Sequence, residues 1–214
     1  MDSAELFFFL LVFFAGLAAG RFINVLLVPG RGGKRGSFSF PIVEIISAGI
    51  FLNCFYFFGF SPLFFKFIFI FSLLLLISCI DLKTGLIPNR ITLFLFLWIF
   101  FWQLFYPYLS PESAALGFLA GGGLFYLIAL LSRGGMGGGD VKLMAVLGLA
   151  AGWPYMLLVF LLSFVMGAVA GLGLLVFGKK TRKDPLAFAP YLSLALWFAT
   201  FWGLKIWQWY ISFL

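Results

Sequence analysis

Asp81 and Asp140 are the residues of this sequence best placed to do chemistry. Each stands at the edge of a long apolar run, in a chain of 214 residues of which only 10% are charged. A carboxylate at or beside membrane depth is costly to desolvate and points to function by default. Two carboxylates brought together cannot both ionise easily, so such a pair shares a proton. The ionised member can then take a proton from water while the protonated member donates a hydrogen bond. Taken singly, each acid also has a structural reading: Asp140 as a helix N-cap and Asp81 as a loop partner for Lys83 or Arg90.

The surroundings of the two acids differ. Asp81 opens the stretch Asp81-Leu82-Lys83-Thr84-Gly85-Leu86-Ile87-Pro88-Asn89-Arg90-Ile91-Thr92, where Gly85 and Pro88 are turn formers and Pro88 keeps Ile87 out of a helix. One helix therefore ends near Asp81 and another starts after a compact loop. Asp140 closes Arg133-Gly134-Gly135-Met136-Gly137-Gly138-Gly139-Asp140, a run whose glycines permit close backbone approach, as a site admitting an extended peptide requires.

The elements that must position these acids are membrane helices. With 64% hydrophobic residues, 32 Phe and a mean hydropathy of +1.16, the chain cannot cover a water-facing surface. Apolar segments run over 6–28, 42–58, 63–80, 91–105, 114–131, 141–151, 155–177 and 186–210, the sixth too short to cross a bilayer alone. The first lacks a basic leader region and a cleavage site and is expected to be retained. The fold class is thus all-α, a polytopic integral membrane bundle of seven or eight transmembrane segments forming a single domain over 1–214.

Charge sets the orientation. Arg31, Lys34, Arg35, Lys83, Arg90, Arg133, Lys142, Lys179, Lys180, Arg182 and Lys183 all fall on one side, whereas the loops 59–62, 106–113 and 152–154 carry no Lys or Arg. The positive-inside rule makes the basic side cytoplasmic, puts both termini outside and places both acids at the cytoplasmic membrane edge. The net charge of +7 is explained by this asymmetry and by attraction to anionic membrane lipids, with no nucleic acid partner.

Other chemistries find little support. The absence of His removes His-based triads and most catalytic zinc sites. Cys54 and Cys79 lie inside apolar segments without CxxC spacing and read as packing residues, so no metal site is expected. Neither Gly-rich stretch matches a phosphate loop. Gly16-x-x-x-Gly20, Gly117-x-x-x-Gly121 and Gly167-x-x-x-Gly171 read as close contacts within the bundle.

The Asp81 to Thr92 stretch, with Pro88 seven residues after the acid, and Gly137-x-Gly139-Asp140-Val141-Lys142-Leu143 together resemble the two signature segments of the type IV prepilin peptidases, membrane aspartyl proteases of the GxGD type. The resemblance extends in order to Arg21-Phe22-Ile23-Asn24-Val25, Phe40-Pro41-Ile42-Val43-Glu44 and Leu186-Ala187-Phe188-Ala189-Pro190-Tyr191-Leu192. It implies a bacterial inner-membrane endopeptidase that removes a short basic leader from prepilins or pseudopilins on the cytoplasmic side. Asp81 and Asp140 would be the catalytic pair, with the choice of base and acid left open because the titration of a coupled pair belongs to both members. Gly137, Gly139, Pro88, Lys142 and Glu44 are expected to shape the site or bind substrate. Lys142 faces away from Asp140 along its helix and reads as a snorkelling cation rather than the acid's partner. Glu44 has Arg31, Arg35 or the leader's positive charge as candidate partners.

One departure matters. Many bacterial members of that family carry a zinc-binding cytoplasmic insert with paired CxxC motifs and also N-methylate the product with S-adenosylmethionine. Here a short loop over 29–40 without cysteine takes the insert's place, so no zinc is expected and the methyltransferase activity is left open. Proteolysis itself needs no cofactor. The alternative readings are a transporter or channel whose acids line a cation path, and a noncatalytic component of a pilus or secretion assembly.

Overall fold

A chain this apolar satisfies its backbone inside helices, because lipid offers no hydrogen-bond partners to N–H and C=O groups. The computed structural model describes residues 3–27, 42–132, 135–178 and 184–212. Among them are eight helices and no strand: α1 (Ser3–Leu26), α2 (Ile42–Phe58), α3 (Pro62–Thr84), α4 (Asn89–Phe105), α5 (Pro111–Leu131), α6 (Gly138–Ala151), α7 (Tyr155–Val176) and α8 (Ala189–Ile211). The loop over 29–40 and the cations Arg31, Lys34, Arg35, Arg133, Lys179, Lys180, Arg182 and Lys183 lie outside the described residues.

Four stretches are long and apolar enough to cross a membrane: Glu5–Leu26, Pro62–Thr84, Pro111–Leu131 and Tyr155–Val176. Helices α2 and α4 are apolar but have 17 residues each. With 14 residues, α6 reaches about 21 Å. The protein is a multi-pass membrane protein whose exposed side chains, among them Phe7, Leu131 and Val176, form a lipid-compatible exterior.

The chain divides within α3 into two compact units, Met1–Cys79 and Ile80–Leu214. In the first, α1 packs on α2 through Gly16 and Gly20. A Cβ on Gly16 would fall 2.6 Å from the Ala48 Cα, and one on Gly20 2.5 Å from the Glu44 Cα, so only glycine allows the approach. Lys66 is 1% exposed in the same unit, with its ammonium 5.6 Å from the Phe67 ring centre.

The second unit is organised around α6, which packs against α4, α5, α7 and α8 and is buried continuously from Leu143 to Ala150. A helix that is apolar all round belongs in a core. Backbone contact between Gly117 of α5 and Gly148 of α6 leaves no room for a side chain at either position. The glycines of α7 receive the entrance to α8, with Gly167 against Phe188 and Tyr191 and Gly171 against Leu186. Helix α6 is thereby fixed from several sides, and Asp140 stands in its first turn.

Candidate active site

Asp81 lies in the last turn of α3 and is 4% exposed. The helix stops just beyond it because Gly85 takes φ +66° and returns its N–H to the Asp81 carbonyl at 2.7 Å, a glycine C-terminal cap. Pro88, extended at φ −69° and ψ 115°, then starts α4. The loop between them is only Gly85 to Pro88, as its turn chemistry predicts. The carboxylate turns inward, and its Oδ2 accepts the Ala189 N–H at 3.0 Å.

The N-cap of α6 is Gly137, not Asp140. Asp140 is the third residue of the helix, and its carboxyl reaches back to accept a hydrogen bond from the Gly137 backbone, the acid's half of a capping box. A Cβ on Gly137 would lie 3.0 Å from Asp140 Oδ2, so the carboxyl would have to shift to admit one. Standing ahead of the apolar part of α6, the Asp140 carboxyl is pushed up to about 6. Burial is the largest cause and the negative charge of Asp81 the second, while the Gly137 hydrogen bond opposes both. The two acids of the sequence reading therefore act on each other within one compact unit.

Two further contacts lock the acid-bearing segments together. A Cβ on Gly139 would sit 2.9 Å from the Ile87 Cβ, so the loop after Asp81 lies directly on the glycine before Asp140. Three residues on, Lys142 Nζ donates to Asn89 Oδ1 at 3.0 Å. Its partner is an amide at the start of α4. Pro88 stands between these two contacts in sequence. Ile87 and Asn89 were part of the stretch quoted from the sequence, yet nothing in their residue types marked them as the clamp.

Glu44 belongs to the first unit, where its Oε1 lies 3.5 Å from Arg21 Nη1. Among the described residues its partner is Arg21; Arg31 and Arg35 lie outside them. Sequence reasoning also missed Ala189, whose side chain is inert and whose contribution is a backbone amide. The available signal was Pro190, which marks a helix start and has no N–H of its own. Among the described residues no group of three or more His, Cys, Asp or Glu could hold a metal ion.

Comparison with known proteins gives the family. The model of the type IV leader peptidase family matches residues 68–172, a stretch that includes both acids. A prepilin leader peptidase/N-methyltransferase of Bacillus subtilis (strain 168) is 34% identical over 180 residues, covering 84% of this chain and 73% of the relative. The chain belongs to the type IV leader peptidase family. Proteins of the same description from Aeromonas salmonicida (strain A449) and Legionella pneumophila are 37% and 35% identical, over 65% and 83% of this chain and 50% and 63% of their own lengths. The chain thus spans between half and about three quarters of these relatives. No solved structure matches it. Family membership carries the protease character of the fold to this chain, and the coupled acids supply chemistry of the matching kind.

Proposed function

We propose that this chain is an aspartic endopeptidase, a single membrane-embedded domain that removes the basic leader from type IV prepilins or pseudopilins at the cytoplasmic face of the bacterial inner membrane. The observation that carries the reading is the coupling of two partly or fully buried acids, with burial first and the Asp81 charge second pushing the Asp140 carboxyl up to about 6. At mildly acid pH, below about 6, such a pair holds one negative charge and one proton. The charged member takes a proton from the attacking water while the protonated member hydrogen-bonds the scissile carbonyl and then serves the leaving amine. Water is the nucleophile, so no acyl-enzyme forms.

The surroundings suit that substrate. An apolar groove of about 820 Å³ lined by α4, α5 and α6 begins at Val141 and Lys142, directly after Asp140, and continues past Phe96, Phe118 and Gly123. A precursor whose leader is followed by a long apolar helix can rest that helix in such a groove and present its cleavage point at the acids. The basic side of the chain supports a cytoplasmic orientation of the site, with Lys83, Arg90 and Lys142 in or beside its two segments.

The relatives' names also include N-methyltransferase. S-adenosylmethionine carries a sulfonium cation, and a ribose diol of the kind proteins often hold with an acid. The groove is lined by the cation Lys142 and by aromatic side chains, and no methyl-transfer step is derived for this chain. The transporter, channel and noncatalytic assembly readings are disfavoured by membership of a peptidase family. Incubating the purified protein in lipid with a synthetic prepilin, and weighing the product's amino-terminal fragment, tests the proposal. Release of the intact leader is expected; an uncut precursor would refute the reading. Adding the methyl donor to the same assay reads the second activity directly.

A further inference from the structure

We infer that the apolar slot between α4 and α5 receives the first two turns of the precursor's mature helix, sideways from the lipid, and that Gly123 sets how large a side chain is accepted there. This inference rests on the function proposed above and adds to it the seat of the mature helix and the residue that selects it.

The register of α5 on α6 sets the depth of the site. Gly117 meets Gly148 backbone to backbone, and one turn along α5 a Cβ on Gly121 would fall 2.9 Å from the Met144 carbonyl oxygen. The two helices are therefore antiparallel, and one further turn puts Phe125 level with Asp140. Helix α5 runs on to Leu131, about 9 Å past that level. Leu127, Leu130 and Leu131 are exposed on this extension, side chains that suit the hydrocarbon layer. Asp140 thus stands below the end of α5, and Lys142, further along α6, is deeper still.

From that depth the slot runs away from the acids. Helix α6 packs on both α4 and α5, whereas among the described residues α4 and α5 have no comparable packing on each other. The groove lies between them, with α6 as its back wall. Its α4 wall descends from Asn89 to Phe96 and its α5 wall from Tyr126 to Phe118, about 10 Å in each case. At the upper end Lys142 Nζ donates to Asn89 Oδ1 at 3.0 Å. At the lower end the Phe96 and Phe118 rings meet, 5.8 Å centre to centre. The outer side is open, and Leu93, Leu119 and Tyr126 on its rim are each more than half exposed.

The order of chemistry along the slot is that of the substrate. A precursor has its cleavage point first and apolar residues after it; the slot presents the acids, then Asn89 and Lys142, then apolar walls. Two neighbouring glycines shape the α5 wall. A Cβ on Gly122 would stand 3.0 Å from the Ala145 Cβ, so Gly122 seats α5 on α6, while a Cβ on Gly123 meets nothing within 4 Å. The wall at 123 is backbone alone, which lets another helix come close. A phospholipid fits less well, because its headgroup would have to sit at Lys142, below the end of α5, and its flexible chains need no such opening. A mature helix longer than the slot leaves it above the Phe96 and Phe118 rings and continues in lipid, so it enters from the side.

The test joins photolabelling to kinetics on the whole protein in lipid vesicles. A synthetic prepilin carries benzoylphenylalanine at successive mature positions, and the labelled peptides of the Asp140→Asn protein, which holds the precursor uncut, are mapped by mass. Positions in the first two turns should label the segments of α4 and α5 that wall the slot, and later positions should not. Gly123→Leu, a change that favours the helix, should remove that labelling and raise KM for cleavage by about tenfold, the worth of burying one side chain, with kcat at saturating precursor little changed. Shortening to Ala the mature side chain that labels position 123 should restore KM in the Gly123→Leu protein. Gly173→Leu on α7, where an added Cβ also meets nothing within 4 Å, lies outside the slot and should leave KM where it is. Labels that map to other helices overturn the inference, as does a KM that Gly123→Leu leaves alone, which would give the slot to lipid chains. If the parent protein cuts no precursor, the proposed function fails, and the labelling still decides whether an apolar helix occupies the slot.

Discussion

Asp81→Asn and Asp140→Asn are each expected to abolish precursor cleavage, a loss of about 10²- to 10⁴-fold or more, at unchanged protein abundance. Asparagine keeps the shape of the side chain and, at position 81, an oxygen that can still accept the Ala189 N–H, so the fold has no reason to fail. What is lost is the ability to exchange a proton with water or with the leaving amine. Because the two acids act as one unit, the double variant should be scarcely worse than either single one. Asp184→Asn, a change to an exposed acid outside the pair, should leave cleavage nearly unchanged. Quantitative immunoblotting of precursor and product in membranes, normalised to enzyme abundance, checks all four variants. Cleavage retained by either single variant would remove that acid from the mechanism.

Gly139→Ala is expected to lower kcat/KM by about 10²-fold, the scale of a displacement of about 1 Å at a catalytic group. Its added methyl would stand 2.9 Å from the Ile87 Cβ, inside the contact that seats the Asp81 loop on the start of α6. Either the loop or the helix start must move, and each carries one of the acids. Gly138→Ala is the matched control: a Cβ there meets nothing within 4 Å, and activity should stay near that of the parent protein. Removing the opposing side chain with Ile87→Gly should recover much of the loss in the Gly139→Ala background, a non-additivity expected of residues in contact. Steady-state kinetics on the three single variants and the double variant measure it. Equal losses at 138 and 139, or no recovery in the double variant, would show that the contact does not set the geometry.

Where apolar length and turn chemistry decide the structure, the sequence reading and the coordinates coincide. The segment read as 42–58 is α2 (Ile42–Phe58), and the stop at Gly85 and start after Pro88 follow from their backbone preferences. The short sixth segment is α6, and the glycine pairs are sites of close approach. Asp81 and Asp140 were legible because a charge is expensive in so apolar a chain. Their electrostatic interaction was not, since it depends on the segments that carry Asp81 and Asp140 meeting across a long sequence separation. The same holds for Lys142 with Asn89 and for Glu44 with Arg21. Asp140 reads as an N-cap by residue type, yet the glycine before it starts the helix earlier and leaves the acid free to fold back. Ala189 was invisible for a different reason: its contribution is a main-chain group that any residue except proline carries. Lys66 went unremarked inside an apolar run, although a buried cation at such a position is itself a signal.

The central claim is that Asp81 and Asp140 form one electrostatic unit, and carboxyl titration in the intact protein tests it without recourse to substrate. The chain has four aspartates, Asp2, Asp81, Asp140 and Asp184, so aspartate-selective carbon-13 labelling gives a spectrum simple enough to assign with Asp140→Asn. The Asp140 signal should titrate near 6 in the parent protein and move to lower pH in Asp81→Asn, where the neighbouring negative charge is gone. An Asp140 midpoint that does not move when Asp81 is neutralised would mean that the two acids do not sense each other, and the shared-proton mechanism would fall.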